Sequence, residues 1–118
     1  MIKFSNVTRD YPKTGAALKD VSFHIPKGEF AFLTGHSGAG KSTALKLMYL
    51  ADRPTSGDVR VSGFATARMS QREIPRLRRR LGIVFQDFQL LAERTAEENV
   101  AFALEVTGAR RATIGPRV

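Results

Sequence analysis

Hydrophobic positions recur along this chain at two spacings, and the spacings separate strand-like from helix-like stretches. Residues 2–7 read as a short strand. Over residues 17–25, Val21, Phe23 and Ile25 fall two apart, which predicts a strand buried on one face. Pro26-Lys27-Gly28 then reads as a turn. Phe30-Ala31-Phe32-Leu33 is an unbroken apolar run, the pattern of a strand covered on both faces. After a glycine-rich turn, residues 41–50 predict a helix, with Leu45 and the later apolar residues facing a core. Residues 52–58 hold Pro54 and Gly57 and read as a turn, and Val59 and Val61 predict a short strand ending at Gly63.

Ser70 and Glu73 have the spacing of a capping box, while Pro75 favours the first helical position and so competes for the start of the helix. Either way the pattern predicts a basic helix ending near Leu81-Gly82. Ile83-Val84-Phe85 predicts another buried strand. Thr95 and Glu98 form a second capping-box pair, opening a helix through Thr107 that Gly108 stops. Residues 109–118 show no clear pattern, and there is no internal repeat or low-complexity linker.

With 118 residues, 42% of them hydrophobic, the chain can bury one modest core. The lack of cysteine excludes disulfides and thiolate metal sites. No signal-peptide core follows the N-terminus and no apolar stretch is long enough to span a bilayer, so a soluble protein, or one held at a membrane by partners, is expected. The formal net charge of +8 favours anionic partners as a class. Much of it lies in Arg68, Arg72, Arg76, Arg78, Arg79 and Arg80, and again in Arg110, Arg111 and Arg117. The first run reads either as a solvated helix face or as a contact for acidic lipid or nucleic acid. No aromatics interleave with its arginines, which argues against a single-strand binding surface, and no specific nucleic acid is expected.

The chemistry concentrates in Gly35-His36-Ser37-Gly38-Ala39-Gly40-Lys41-Ser42, which satisfies the phosphate-loop pattern G-x-x-x-x-G-K-[ST] between an apolar strand and a helix. Glycines permit the turns and the close approach that a phosphate needs. The backbone N–H groups converge as an anion nest, and the following helix adds its unpaired N–H groups and the positive end of its dipole. Lys41 offers a mobile cation to the β and γ phosphates. Ser42 offers a hydroxyl to Mg²⁺, and Thr43 reaches a neighbouring phosphate. ATP and Mg²⁺ are the expected ligands. His24 and His36 have no paired carboxylate spacing and read as plain polar residues rather than catalysts.

Two further residues narrow the class. Tyr11 lies upstream between the first two strands, and Gln86 follows the strand-like Ile83-Val84-Phe85. With the phosphate loop, they resemble three successive landmarks of the ABC-type ATPase domain: an adenine-stacking aromatic, the phosphate loop and a glutamine loop. Thr34-Gly35-His36-Ser37-Gly38-Ala39-Gly40-Lys41-Ser42-Thr43, Val84-Phe85-Gln86-Asp87-Phe88-Gln89-Leu90-Leu91 and Arg94-Thr95 with Glu98-Asn99-Val100-Ala101 are similar to the FtsE branch linked to bacterial cell division. His36 looks like a marker of that branch. The lipoprotein- and macrolide-type exporters are the alternative branch.

The resemblance covers residues 1 to about 108 and carries expectations. The fold would be α/β, a P-loop NTPase core beside an antiparallel β subdomain. Residues 1–34 would form the β subdomain and a core strand, 35–50 the phosphate loop and helix, and 83–108 the glutamine-loop region and the start of a helical subdomain. Tyr11 would stack on adenine, although an ordinary strand-end tyrosine reads the same way. Gln86 would reach Mg²⁺ and the attacking water, unless it is a plain surface glutamine. With Lys41, Gln86 would be the catalytic contribution. The implied partners are an integral membrane protein similar to FtsX and, for a full-length protein, a second copy. The implied location is the cytoplasmic face of the plasma membrane, reached through that partner.

The sequence also departs from the family pattern. No Leu-Ser-Gly-Gly type signature, acidic pair after an apolar strand, or histidine beyond His36 is present. Residues 109–118 differ from the family's continuation. The expectation is therefore a chain truncated before the signature and the acidic-pair strand, with weak ATP binding and hydrolysis near background. A binding-only module that regulates an intact ATPase is a second possible class. A small-molecule P-loop kinase fits poorly, since no acceptor-binding or lid segment is evident and Tyr11 and Gln86 would go unexplained.

Overall fold

The computed structural model describes residues 1–118, which form two compact units, Met1–Leu81 and Gly82–Val118. The first is built on a four-stranded antiparallel sheet in the order β2-β1-β3-β4, comprising β1 (Ile2–Tyr11), β2 (Gly15–Ile25), β3 (Ser56–Val61) and β4 (Phe64–Ala65). Phe4 pairs in register with Phe23, and their rings stack with centroids 4.5 Å apart, the cross-strand aromatic contact that holds a hairpin in register.

β1 runs four residues beyond the predicted Val7. The register shifts between Phe4 and Val7 and again around Arg9, so the apolar alternation fails while the ladder continues. At the first irregularity Asn6 takes φ +48°, and its backbone N–H donates to Ser22 Oγ at 2.8 Å. β3 likewise begins at Ser56, inside the segment read as a turn. Gly57, at φ +86°, lets β3 approach this irregular stretch of β1, where a Cβ would stand 2.2 Å from the Asn6 carbonyl oxygen.

The helix α1 (Lys41–Met48) packs on the sheet through Ala44 and Leu47, followed by Leu50. The expected phase was off: Leu45 is 51% exposed whereas Leu47 is fully buried. A 3.6-residue period leaves the phase open, and the small Ala44 is what allows the close approach to the sheet. Ile74 and Leu77, from α2 (Ile74–Arg78), complete the core with Phe4, Val7, Leu18, Val59, Val61 and Met69. Ser70 and Glu73 bond as a turn, with Ser70 N–H and Oγ both donating to Glu73 Oε2, but the helix itself starts after Glu73 with Pro75 in its first turn. The basic run is not wholly a solvated face. Arg78 donates through Nε to Tyr49 O and through an NH2 group to Leu50 O, both at 3.0 Å, closing carbonyls at the end of α1. Arg68, Arg72, Arg76, Arg79 and Arg80 are exposed.

Two predicted strands are absent. Residues 30–33 and 83–85 are extended or irregular and belong to no strand of the sheet. Phe30 and Phe32 are each 83% exposed and touch each other edge to face, and Val84 is 97% exposed. Apolar composition makes a strand possible, but a ladder with a neighbouring backbone makes it real, and here no neighbour is supplied.

In the second unit, α3 (Ala96–Val106) follows the sequence reading. Thr95 Oγ1 accepts from the Glu98 backbone N–H at 3.2 Å, Glu98 Oε2 accepts from the Thr95 N–H at 2.7 Å, and Gly108 stops the helix at φ +82°. Asn99 ties the preceding loop to the helix by accepting from Leu91 N–H and donating to the Leu91 and Thr95 carbonyls. A short helix α4 (Arg111–Ile114) occupies the stretch that carried no pattern. Thr95→Ala removes one half of the cap, worth about 1 kcal/mol. Amide exchange in the first turns of α3 should accelerate roughly fivefold, and unchanged protection there would show the box to be idle.

Candidate functional site

The phosphate loop lies between the end of β2 and α1. Gly38 at φ +81° and Gly40 at φ +91° turn it through the left-handed region, and the Ala39 N–H donates to the His36 carbonyl at 3.1 Å to close it. Gly35 is packed, since a Cβ there would meet the Ala39 Cβ at 3.0 Å. Gly40 is the N-cap residue of α1, and no side chain caps the helix or places a carboxylate in its first turn. The first N–H groups of α1 therefore keep their donors and the positive end of the dipole uncompensated by the chain itself. Lys41 folds back over the loop, with Nζ donating to the Gly35 and His36 carbonyls at 2.6 Å each. Those acceptors lie on exposed residues, so an anion entering the loop competes with them for a cation already in place.

A cavity of about 370 Å³ opens over this loop. One wall is Ser37, Gly38, Gly40, Lys41, Ser42 and Thr43; the other is Tyr11, Thr14 and Ala17 from the β1–β2 hairpin. The structure thus brings Tyr11 to the phosphate loop. It is the last residue of β1, paired with Gly15, rather than a residue between strands. Thr14 and Ala17 carry no motif and were missed by sequence reasoning; only their place in the hairpin puts them in the wall. Gly35, His36 and Ala39 belong to the loop without lining the cavity. Gln86 lies in the second unit, exposed in a turn just before Phe88 and Gln89, both at positive φ.

Tyr11 is held from two sides. Its hydroxyl donates to Asp52 Oδ2 at 2.6 Å, and the Arg9 guanidinium lies 4.4 Å from its ring centroid. Arg9 Nε also donates to Asp52 Oδ2, at 2.9 Å, and the Arg53 backbone N–H donates to Oδ1 at 2.8 Å. Burial pushes the Asp52 carboxyl up. The Tyr11 hydroxyl, the Arg53 N–H and the Arg9 charge outweigh it and leave the carboxyl below its ordinary range. Arg9 and Tyr11 are two apart on one strand, a spacing visible in the sequence, whereas Asp52 lies 41 residues from Tyr11 and no local signal pointed to it.

No three His, Cys, Asp or Glu side chains gather to hold a metal, and the cavity wall contains no carboxylate or imidazole. Ser42 is the wall's hydroxyl beside Lys41. That donor set fits Mg²⁺ only in the manner of sites where phosphate oxygens and water supply most of the ligands. No helix is long and apolar enough to cross a membrane.

The family model described as ABC transporter matches residues 18–115. The cell division ATP-binding protein FtsE of Mycobacterium tuberculosis is 51% identical over 111 residues, which cover 93% of this chain and 48% of that protein. FtsE of Escherichia coli K12 is 48% identical over 118 residues, covering 100% of this chain and 53% of that one. The ATP-binding cassette MJ0796, solved as a dimer in a post-hydrolysis state bound to ADP and Pi, superimposes with a TM-score of 0.88 at 37% identity. That match covers 99% of this chain and 53% of MJ0796. The chain therefore spans about half the length of the curated relatives it matches.

Proposed function

Because the chain belongs to the ABC transporter family, as an FtsE-like N-terminal region of its ATPase domain, we propose that it binds the triphosphate of ATP in the loop of residues 35–42. The observation that carries this reading is the start of α1, with no side-chain cap, opening on the cavity beneath Lys41. Lys41 neutralises the β and γ phosphates, the backbone N–H groups of Gly38 and of residues 40–43 and the Thr43 hydroxyl bind phosphate oxygens, and Tyr11 stacks on the base. Ser42 would hold Mg²⁺ together with the phosphates, and the ion would supply positive charge against the phosphate oxygens. Gln86 adds a metal- and water-directed amide in the assembled enzyme.

Positioned water is what phosphoryl transfer further requires, and the cavity wall offers no group to accept its proton. This chain is therefore read as a nucleotide-binding half-site. A full-length FtsE-like protein would work as a dimer at the cytoplasmic face of the membrane, driving an integral partner similar to FtsX in cell division. Residues 1–34, 35–50 and 83–108 would serve it as β subdomain, phosphate loop and helix, and glutamine-loop region. Calorimetric titration of the 118-residue chain with Mg-ATP should show one saturable site, in the upper part of the roughly 1 µM–1 mM window usual for substrates. Phosphate release in the same samples should stay at background. Absence of a saturable site defeats the binding proposal, and Lys41-dependent turnover defeats the half-site reading.

A further inference from the structure

The cavity has a phosphate end and a hairpin end, and one carboxylate outside its wall joins the two. Asp52 follows α1, whose N-terminus forms the phosphate end. Its Oδ2 atom accepts both the Tyr11 hydroxyl and Arg9 Nε, and its Oδ1 is occupied by the Arg53 backbone N–H, which orients the carboxylate. Arg9 lies over the Tyr11 ring and is fixed there by the same oxygen. A tyrosine at a strand end otherwise swings about χ1 and χ2, and ordering its ring would be part of the cost of binding a base. Here the ring is restrained at its hydroxyl by a charge-assisted bond and over its plane by a guanidinium.

We infer that Asp52 and Arg9 are positioning residues for the base end of the nucleotide site: they preorganise Tyr11 as a stacking platform at a fixed distance from the phosphate loop. This rests on the phosphate-loop proposal above. It adds two residues that touch no ligand themselves, and it makes a distinction that a purely structural role would not make. A ligand with a base should feel the clamp, and a ligand without one should not.

The test compares ATP with inorganic triphosphate, each with Mg²⁺, on the wild-type 118-residue chain and on two variants. Asp52→Asn weakens the clamp at the carboxylate. Arg9→Gln removes the guanidinium from over the ring and leaves Tyr11 in place. Each variant should lose about three- to tenfold in ATP affinity, the scale of a misplaced aromatic stack, with triphosphate affinity unchanged. Unchanged triphosphate affinity also certifies that the loop and α1 are intact. ATP affinity that stays at the wild-type level, or that falls in parallel with triphosphate affinity, overturns the inference. A wild-type chain that binds neither ligand overturns the phosphate-loop proposal, and this inference falls with it. A wild-type chain that binds both ligands equally well removes the base from the site and overturns the inference alone.

Discussion

Replacing Lys41 with alanine should reduce Mg-ATP affinity by about a thousandfold, placing binding beyond calorimetric detection. The magnitude follows from the charge that is lost. A cation about 4 Å from a phosphate oxygen at a partly exposed site contributes roughly 4 kcal/mol per unit charge at an effective dielectric near 20, and 1.4 kcal/mol corresponds to a factor of ten. Mg²⁺ offsets only part of the triphosphate charge, and the other groups that the chain offers to the phosphates are backbone N–H dipoles and two hydroxyls. The fold should scarcely notice the change. Lys41 Nζ donates to two carbonyls of exposed residues, Gly35 and His36, and water can replace it at both. The stability change should therefore stay within about 0.5 kcal/mol, so lost binding cannot be ascribed to unfolding. ATP affinity within threefold of wild type would remove Lys41 from the site and, with it, the reading of the loop as a phosphate cradle.

How much of this was legible before the structure depended on how far apart the cooperating residues are. The Thr95–Glu98 box spans four positions and was read correctly, because both of its hydrogen bonds close within one turn. The phosphate loop is equally local, and its turns at Gly38 and Gly40 and the helix start at Lys41 lie where the pattern placed them, although the strand expected before it does not form. The alternation of Val21, Phe23 and Ile25 gave β2, since one sheet face decides a period of two. Errors arose where a distant partner decides the outcome. Phe30 and Phe32 have the composition of a central strand, but strand formation belongs to the neighbouring backbone and not to the segment. The phase of α1 was set by the sheet beneath Ala44 and Leu47, a surface its own sequence does not contain. The Asp52–Tyr11 bond joins residues 41 positions apart and had no sequence signature at all.

Gly40 shows how closely the loop and the fold are joined, and Gly40→Ala should destabilise the first unit by about 2–5 kcal/mol. Two costs combine. At φ +91° an alanine pays roughly 1–2 kcal/mol for the left-handed conformation. Its Cβ would also stand 2.4 Å from the Ala17 carbonyl oxygen and 2.8 Å from Leu18 Cδ2. The first of these is backbone of β2 and the second a buried core side chain, so neither yields freely, and overpacking of this kind adds about 1–3 kcal/mol. Gly38→Ala separates the terms: φ is +81°, nearly the same, but no atom lies within 4 Å of the added Cβ. Thermal melts should therefore order wild type above Gly38→Ala above Gly40→Ala. The gap between the variants measures the contact with β2, roughly 4–8 °C per kcal/mol for a unit of this size. Indistinguishable melting temperatures for the two variants would mean that α1 does not seat against β2 as the structure has it. If the gap appears, Gly40→Ala should also lose triphosphate affinity in proportion to the displacement of α1, because Gly40 both seats α1 against the sheet and caps the end of α1 that faces the phosphate.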